Sequence, residues 1–247
     1  MQKYYTRACN FYYNKISKEK VKKKISLPVS GNKSFSFDTI EIITRTNKKK
    51  INIRSIKNLP SKIKKKVLID INNISKAKKI PKLKFNNLPI IMGILNITPD
   101  SFSDGGDYLK KESASKQLNK LFKDGAHLVD IGGESTRPGS KSISSKVEWN
   151  RIKSVLKRID YKKTISLDTR KSIIMEKGIN LGIKIINDVS GLSYDNNSIN
   201  ILKKTKIPFI LQHSFGNPDV MQKNPKYKNV LLDIYDFFEK KIELLRK

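Results

Sequence analysis

Beyond residue 88 the apolar positions fall into a repeating unit: a short apolar run, a polar or glycine-containing turn, then a stretch with helical spacing. Ile90 to Asn96 reads as the first strand, with a helix around Ser113 to Asp124. His127 to Ile131 is the second, followed by a helix around Val147 to Ile159, and Thr164 to Asp168 the third, followed by a helix from about Lys171 to Asn180. Ile183 to Val189 and Ile207 to His213 make the fourth and fifth strands, and Tyr227 to Arg246 is a closing helix. Strand and helix alternating every 20 to 30 residues or so predict βα units around a parallel sheet.

Residues 1–88 carry a different pattern. Ile40 to Arg45 and Ile51 to Ile56 are β-branched runs separated by the polar stretch Thr46 to Lys50, which suits a hairpin. After Pro60, the residues Ile63, Val67, Ile71 and Ile74 lie on one helical face that is expected to stop near Ile80 and Pro81. The expected organisation is a small α+β extension, 1–88, ahead of an α/β segment, 89–247.

Charge sharpens this division. The 247 residues carry 52 Lys+Arg against 22 Asp+Glu, a net +30. Two thirds of it falls in residues 1–88, which hold 24 basic and 4 acidic side chains. Only 8 of the 52 basic residues are Arg. Dedicated nucleic-acid readers lean on the bidentate Arg fork, so this lysine excess weighs against nucleic acid as a partner and reads as a solvated surface, the runs Lys22–Lys24, Lys48–Lys50 and Lys64–Lys66 sitting in turns or on outward faces. The single cysteine, Cys9, excludes an internal disulfide framework. No apolar run reaches the ~18 residues of a membrane span and the first residues hold no apolar secretory core, so a cytoplasmic protein without a membrane partner is expected.

In parallel α/β sheets ligands sit at the carboxyl ends of the strands, so what each strand ends in is informative. Here every strand ends in polar or acidic residues. Asn96, Asp100, Asp104 and Asp130 offer hard oxygens suited to a Mg²⁺ that keeps several waters. Thr136, Arg137, Ser140 and the N–H groups of Gly132, Gly133 and Gly139 suit a phosphate or pyrophosphate. Asp168 and Asn187, a carboxylate and an amide at neighbouring strand ends, suit the edge of an aminated heterocycle. Together they describe a phosphorylated heterocycle held at one rim. His213 reads as a pocket-lining wall residue, and Cys9 and Trp149 are assigned no chemistry.

The strings IMGILNITPDSFSDGG (91–106), HLVDIGGESTRPGS (127–140), SLDTRKS (166–172), INDVSG (186–191) and LQHSFGNPDVMQ (211–222) resemble, in order and spacing, the dihydropteroate synthase family. The resemblance implies a (β/α)₈ TIM barrel of the pterin-binding superfamily, of which the first five βα units are present. It implies condensation of hydroxymethyl-dihydropterin diphosphate with 4-aminobenzoate, release of pyrophosphate, a Mg²⁺ cofactor and a homodimer when full-length. By the same resemblance Asn96 is the metal-linked asparagine, Thr136 the diphosphate-binding threonine, and Asp168 and Asn187 the residues that hold the pterin ring. Thr98 to Asp107 would be the mobile first loop, with Phe102 and Asp104 covering the aminobenzoate and leaving group. Arg137 and Pro138 would belong to the second loop, and Asp104 and Arg137 would carry the catalytic roles.

The sequence also departs from that family. The 159 residues from Pro89 to Lys247 fall short of the ~250 of a whole barrel. The family's DPGxGFxK segment, its Ser-Arg-Lys segment and its last Arg and His are missing. The expectation is therefore a carboxyl-terminally incomplete barrel, inactive and prone to aggregate alone, with Leu83–Leu88 as a hairpin covering the barrel bottom. The competing readings are a pterin- or folate-binding methyltransferase domain, and a non-catalytic binding protein with a nucleic-acid-binding extension.

Overall fold

The computed structural model describes residues 2–78, 90–98, 107–135, 137, 139–214 and 226–246, with only the backbone described at 107–111. The chain divides into two compact units, Met1–Lys79 and Ile80–Lys247.

The first unit runs β1 (Tyr5–Tyr13), α1 (Asn14–Lys22), β2 (Leu27–Val29), β3 (Asn32–Ile43), β4 (Lys48–Asn52), a 3₁₀ turn (Ile53–Asn58) and α2 (Ser61–Ser75). The long β3 organises an antiparallel sheet, pairing β1 along one edge and β2 and β4 at opposite ends of the other. Phe37, Ile40, Ile42, Ile56, Val67 and Ile71 form its core. The expected hairpin is present as β3 and β4, but its second strand lies three residues earlier than the Ile51–Ile56 reading. The side chain of Asn52 accepts the N–H of Arg54 at 3.0 Å and starts the 3₁₀ turn, which ends the strand. Lys48–Lys50 therefore stands on a strand, exposed, and not in a loop. Helix α2 buries Val67 and Ile71 as the spacing predicted and ends at Ser75, five residues before Ile80. The sequence reading did not include β1, α1 or β2. Leu83–Leu88 lies outside the described residues.

The second unit runs β5 (Met92–Asn96), α3 (Asp107–Lys123), β6 (Leu128–Gly132), α4 (Ser145–Leu156), β7 (Thr164–Asp168), α5 (Ser172–Leu181), β8 (Ile185–Asp188), α6 (Asn197–Thr205), β9 (Phe209–Leu211) and α7 (Val230–Arg246). Among the described residues its five strands are parallel and adjacent in chain order. A doubly wound sheet reverses its order at a switch point, and this sheet does not. Ile131, Ile152, Leu156, Ile165, Leu167, Ile174, Met175 and Ile186 fill the layer between strands and helices. Helix α5 lies so close to β7 that a Cβ at Gly178 would collide with Leu167 Cδ2. The helix α6 was not predicted: its Asn- and Ser-rich start has weak helical propensity, and Asp195, accepting the N–H of Asn197 at 3.0 Å, supplies the start signal. Among the described residues no helix is long and apolar enough to cross a membrane.

Candidate active site

The strand register builds a level rim. Asn96 pairs Gly132, Gly132 pairs Asp168, and Asp168 pairs Asn187, so the ends of four strands line up in one row. Side chains alternate faces along a strand, which places Asp130 two residues below Gly132 on the same face. Gly132 leaves a gap in the row. A Cβ there would stand 3.4 Å from Asn96 Oδ1 and 3.3 Å from Asp168 Oδ2, so two side-chain oxygens lean over a position that carries no side chain.

Asn187 is fixed at both ends of its amide. Its Nδ2 donates to Asp130 Oδ2 at 2.8 Å, and Gln212 Nε2 donates to its Oδ1 at 2.8 Å. Asp168 Oδ1 and Asp130 Oδ1 are buried and have no hydrogen-bond partner among the described residues. A buried acceptor left unpaired costs roughly 1–3 kcal/mol, a cost that a ligand donor would remove. Burial, and then the charges of Asp130, Glu148, Asp188 and Glu134, push the Asp168 carboxyl up to about 8. Burial also raises Asp130. Near neutrality Asp168 is therefore a neutral acid, able to present an O–H and a C=O side by side or to ionise when N–H donors arrive. That is the complement of an amidine or aminopyrimidinone edge.

The loop after β6 is anchored by an ion cluster. Glu134 accepts Arg170 Nε at 2.9 Å and Nη2 at 3.1 Å, Lys171 Nζ at 2.8 Å and the Ile143 N–H at 3.0 Å. Burial would raise its pKa, but the bonds from Arg170, Lys171 and Ile143 and the Lys171 charge hold it down at about 2. Lys171 also donates to Glu148 of α4 at 2.6 Å, and Arg170 lies 4.0 Å over the ring of Tyr194. Above this base the loop closes on itself, Ser140 Oγ donating to the Ser135 carbonyl at 2.6 Å. Arg137 stands exposed between them.

Of the residues predicted for the site, Asn96, Asp168 and Asn187 share the rim, and Arg137 stands on the adjacent loop. Asp100, Phe102, Asp104, Thr136 and Pro138 lie outside the described residues. Arg170 is buried and its guanidinium is taken by Glu134. Asp188, at another strand end, is spent on its own turn, accepting the N–H groups of Ser190 and Leu192. His213 packs in an aromatic wall, its ring 4.8 Å edge-on to Phe237 and 5.9 Å from Tyr227. The sequence reading missed Glu134, Lys171, Glu148, Tyr194 and Gln212. Three of these are charged residues that the structure buries; charge beside an apolar strand end hinted at Glu134 and Lys171, and Glu148, on α4, carried no such signal.

Among the described residues no three His, Cys, Asp or Glu side chains converge as a metal cage. Two oxygens border the Gly132 gap, the neutral Asn96 Oδ1 and Asp168 Oδ2. That fits a water-rich Mg²⁺ carried mainly by substrate phosphates, and does not fit a caged ion.

A sequential parallel sheet with polar strand ends on one rim, an anchored loop beside them and a buried unpaired carboxyl oxygen defines a ligand-binding α/β protein with its site at the strand carboxyl ends. The chain belongs to the pterin binding enzyme family, whose pattern matches residues 92–247. It is 38% identical over 157 residues to the dihydropteroate synthase of Haemophilus influenzae, covering 63% of this chain and 57% of that one. Dihydropteroate synthase of Xanthomonas albilineans, solved with 4-aminobenzoic acid, superposes with TM-score 0.57 at 34% identity, over 64% of this chain and 56% of that one. The Burkholderia cenocepacia enzyme, solved with 7,8-dihydropteroate, does so with TM-score 0.56 at 30% identity, over 66% and 55%. The chain thus spans about half the length of the relatives it matches. These relatives favour the synthase reading over the methyltransferase and the non-catalytic one.

Proposed function

We propose that this chain carries the pterin-binding side of a dihydropteroate synthase, joining hydroxymethyl-dihydropterin diphosphate to 4-aminobenzoate with release of pyrophosphate. The observation that carries the reading is Asp168: a half-buried residue whose Oδ1 is buried and unpaired among the described residues, beside an Asn187 amide locked by Asp130 and Gln212. The five sequential strands would then be one wall of a (β/α)₈ TIM barrel. Residues 1–88 act as an accessory unit, and the assembled enzyme is a cytoplasmic homodimer.

The chemistry follows from the substrate. The methylene carbon loses its bond to the pyrophosphate oxygen, which leaves with the electron pair, and gains a bond to the aminobenzoate nitrogen, which then sheds a proton. The electron-rich ring stabilises the cationic carbon, so the protein's work is orientation and leaving-group neutralisation. Asp168 and Asn187 grip the amino-pyrimidinone edge, and proton loss from Asp168 on binding strengthens that grip. Arg137 and Thr136 hold the diphosphate from the second loop, while Phe102 and Asp104 of the first loop cover the amine and exclude water. Asn96 would hold Mg²⁺ through its Oδ1, and that ion would supply charge neutralisation for the departing pyrophosphate. Among the described residues β5 and β9 each pair on one side only, and Ile94, in the row of Asp130, is 63% exposed. Water therefore reaches the β5 end of this face, while Asp130 and Asn187 further along it stay buried.

Titration of the 247-residue chain with hydroxymethyl-dihydropterin, followed by ligand fluorescence, tests the reading. Saturable binding is expected, with loss of at least tenfold in affinity for Asp168→Asn. Absence of binding to the parent chain, or equal binding by the variant, would overturn it.

A further inference from the structure

We propose that Glu134 is a positioning residue: the hub of a charge-neutral clamp that sets the distance between the Asp168 strand end and the Arg137 loop. The inference rests on the pterin diphosphate reading, since these two points would face the ring and the phosphates.

The clamp joins three successive strand-end segments. Glu134 follows β6, Arg170 and Lys171 follow β7 two and three residues after Asp168, and Tyr194 follows β8. Glu134 and the Ile143 N–H close the base of the loop that carries Arg137, and Arg170 Nη2 adds a bond to Ser142 Oγ at 3.1 Å. The segment just before the loop is pinned as well. Arg151 Nη1 of α4 donates to the Gly133 carbonyl at 2.8 Å, and Lys171 reaches Glu148 on the same helix. The bidentate fork of Arg170 fixes direction as well as distance, which a single Lys contact would not do.

Charge accounting separates positioning from plain electrostatics. Within the ion pairs two cations, Arg170 and Lys171, face two anions, Glu134 and Glu148, so the pairs cancel, while Arg151, bonded to a carbonyl, keeps its charge in every variant tested. Glu134→Gln removes one negative charge and leaves the cations in surplus. If the cluster acted only as a source of field, that variant would bind a diphosphate more tightly. If Glu134 positions the loop, the variant binds it less tightly despite the added positive charge. The sign of the effect decides between them.

The test uses the full chain, its Glu134→Gln and Arg170→Lys variants, and two probes, hydroxymethyl-dihydropterin and its diphosphate. Amide exchange across residues 139–143 is measured in parallel. The expected result for Glu134→Gln is about tenfold weaker binding of the diphosphate, binding of the unphosphorylated pterin within about twofold of the parent, and an acceleration of exchange in 139–143 at least tenfold greater than that in β6 and β7. Arg170→Lys, which keeps the charge and loses the fork, is expected to move in the same direction and serves alone should Glu134→Gln not fold. Diphosphate binding that is unchanged or tighter, or exchange that is unchanged in 139–143 or rises uniformly, would overturn the proposal. A parent chain that ignores both probes defeats the pterin reading instead, and the exchange comparison then decides the clamp by itself.

Discussion

Replacing Asp168 by Asn should make the second unit more stable in mild alkali, although it removes a residue of the proposed site. In the folded chain burial and four neighbouring carboxylates hold this group up at about 8, against an ordinary value of 3.8. The folded state therefore keeps a proton that the unfolded chain releases, and stability falls as pH rises from about 4 towards 8. A span of roughly four pH units at about 1.4 kcal/mol each sets a ceiling near 5–6 kcal/mol, reduced in practice by water reaching the open rim. Asn keeps the shape and cannot ionise. Parent and variant should match at pH 4, and the variant should be the more stable by about 2–4 kcal/mol at pH 8. Trp149 is the one tryptophan of the chain and packs on the core of the second unit, so its fluorescence during urea unfolding isolates that unit. Asp130 and Asp188 are also raised and contribute to the parent's slope, but they remain in both proteins, so the difference between the curves reports Asp168. Curves for parent and variant that run parallel from pH 5 to 8 would refute the reasoning.

The other predictions concern packing and the ion cluster. Glu134 has its pKa lowered from 4.5 to about 2, so its stabilisation is complete above about 4.5 and is lost as pH falls towards 2. Glu134→Gln should accordingly destabilise by about 3 kcal/mol at pH 7 and by progressively less below pH 4, read from Trp149 fluorescence. Gly133→Ala should cost about 1–3 kcal/mol in the same assay, because its Cβ would meet Ile152 Cγ2 at 2.8 Å and the Glu148 carbonyl at 3.0 Å. Phe37→Ala, in the core of the first unit, should cost about 3–5 kcal/mol by circular dichroism and leave the Trp149 transition in place.

How far the molecule was legible depended on the range of the interaction involved. Thr164–Asp168 emerged with its predicted bounds because an apolar run between polar turns is a local signal. Asp168 and Asn187 were placed together because, in a parallel sheet, a residue's position relative to its strand end already says which rim it joins. The ion cluster was not legible in that way. Glu134 and Arg170 are 36 residues apart, and nothing in either neighbourhood states that the carboxylate will find the guanidinium before solvent or substrate does. The same limit hid β1 and β2, whose pairing with β3 depends on distant partners, while the 3₁₀ turn at Ile53 hinged on one asparagine side chain overriding β-branched neighbours.

The lysines of β4 have a colloidal meaning. Lys48, Lys49 and Lys50 are exposed on a strand whose only partner among the described residues is β3. A bare strand rim is a template for the next molecule, and three like charges along it make each such encounter repulsive. That repulsion reaches about 10 Å at 0.1 M salt and about 3 Å at 1 M. The lysine surplus that said little about a partner thus guards against self-adhesion, and it is a guard that concentrated salt disarms.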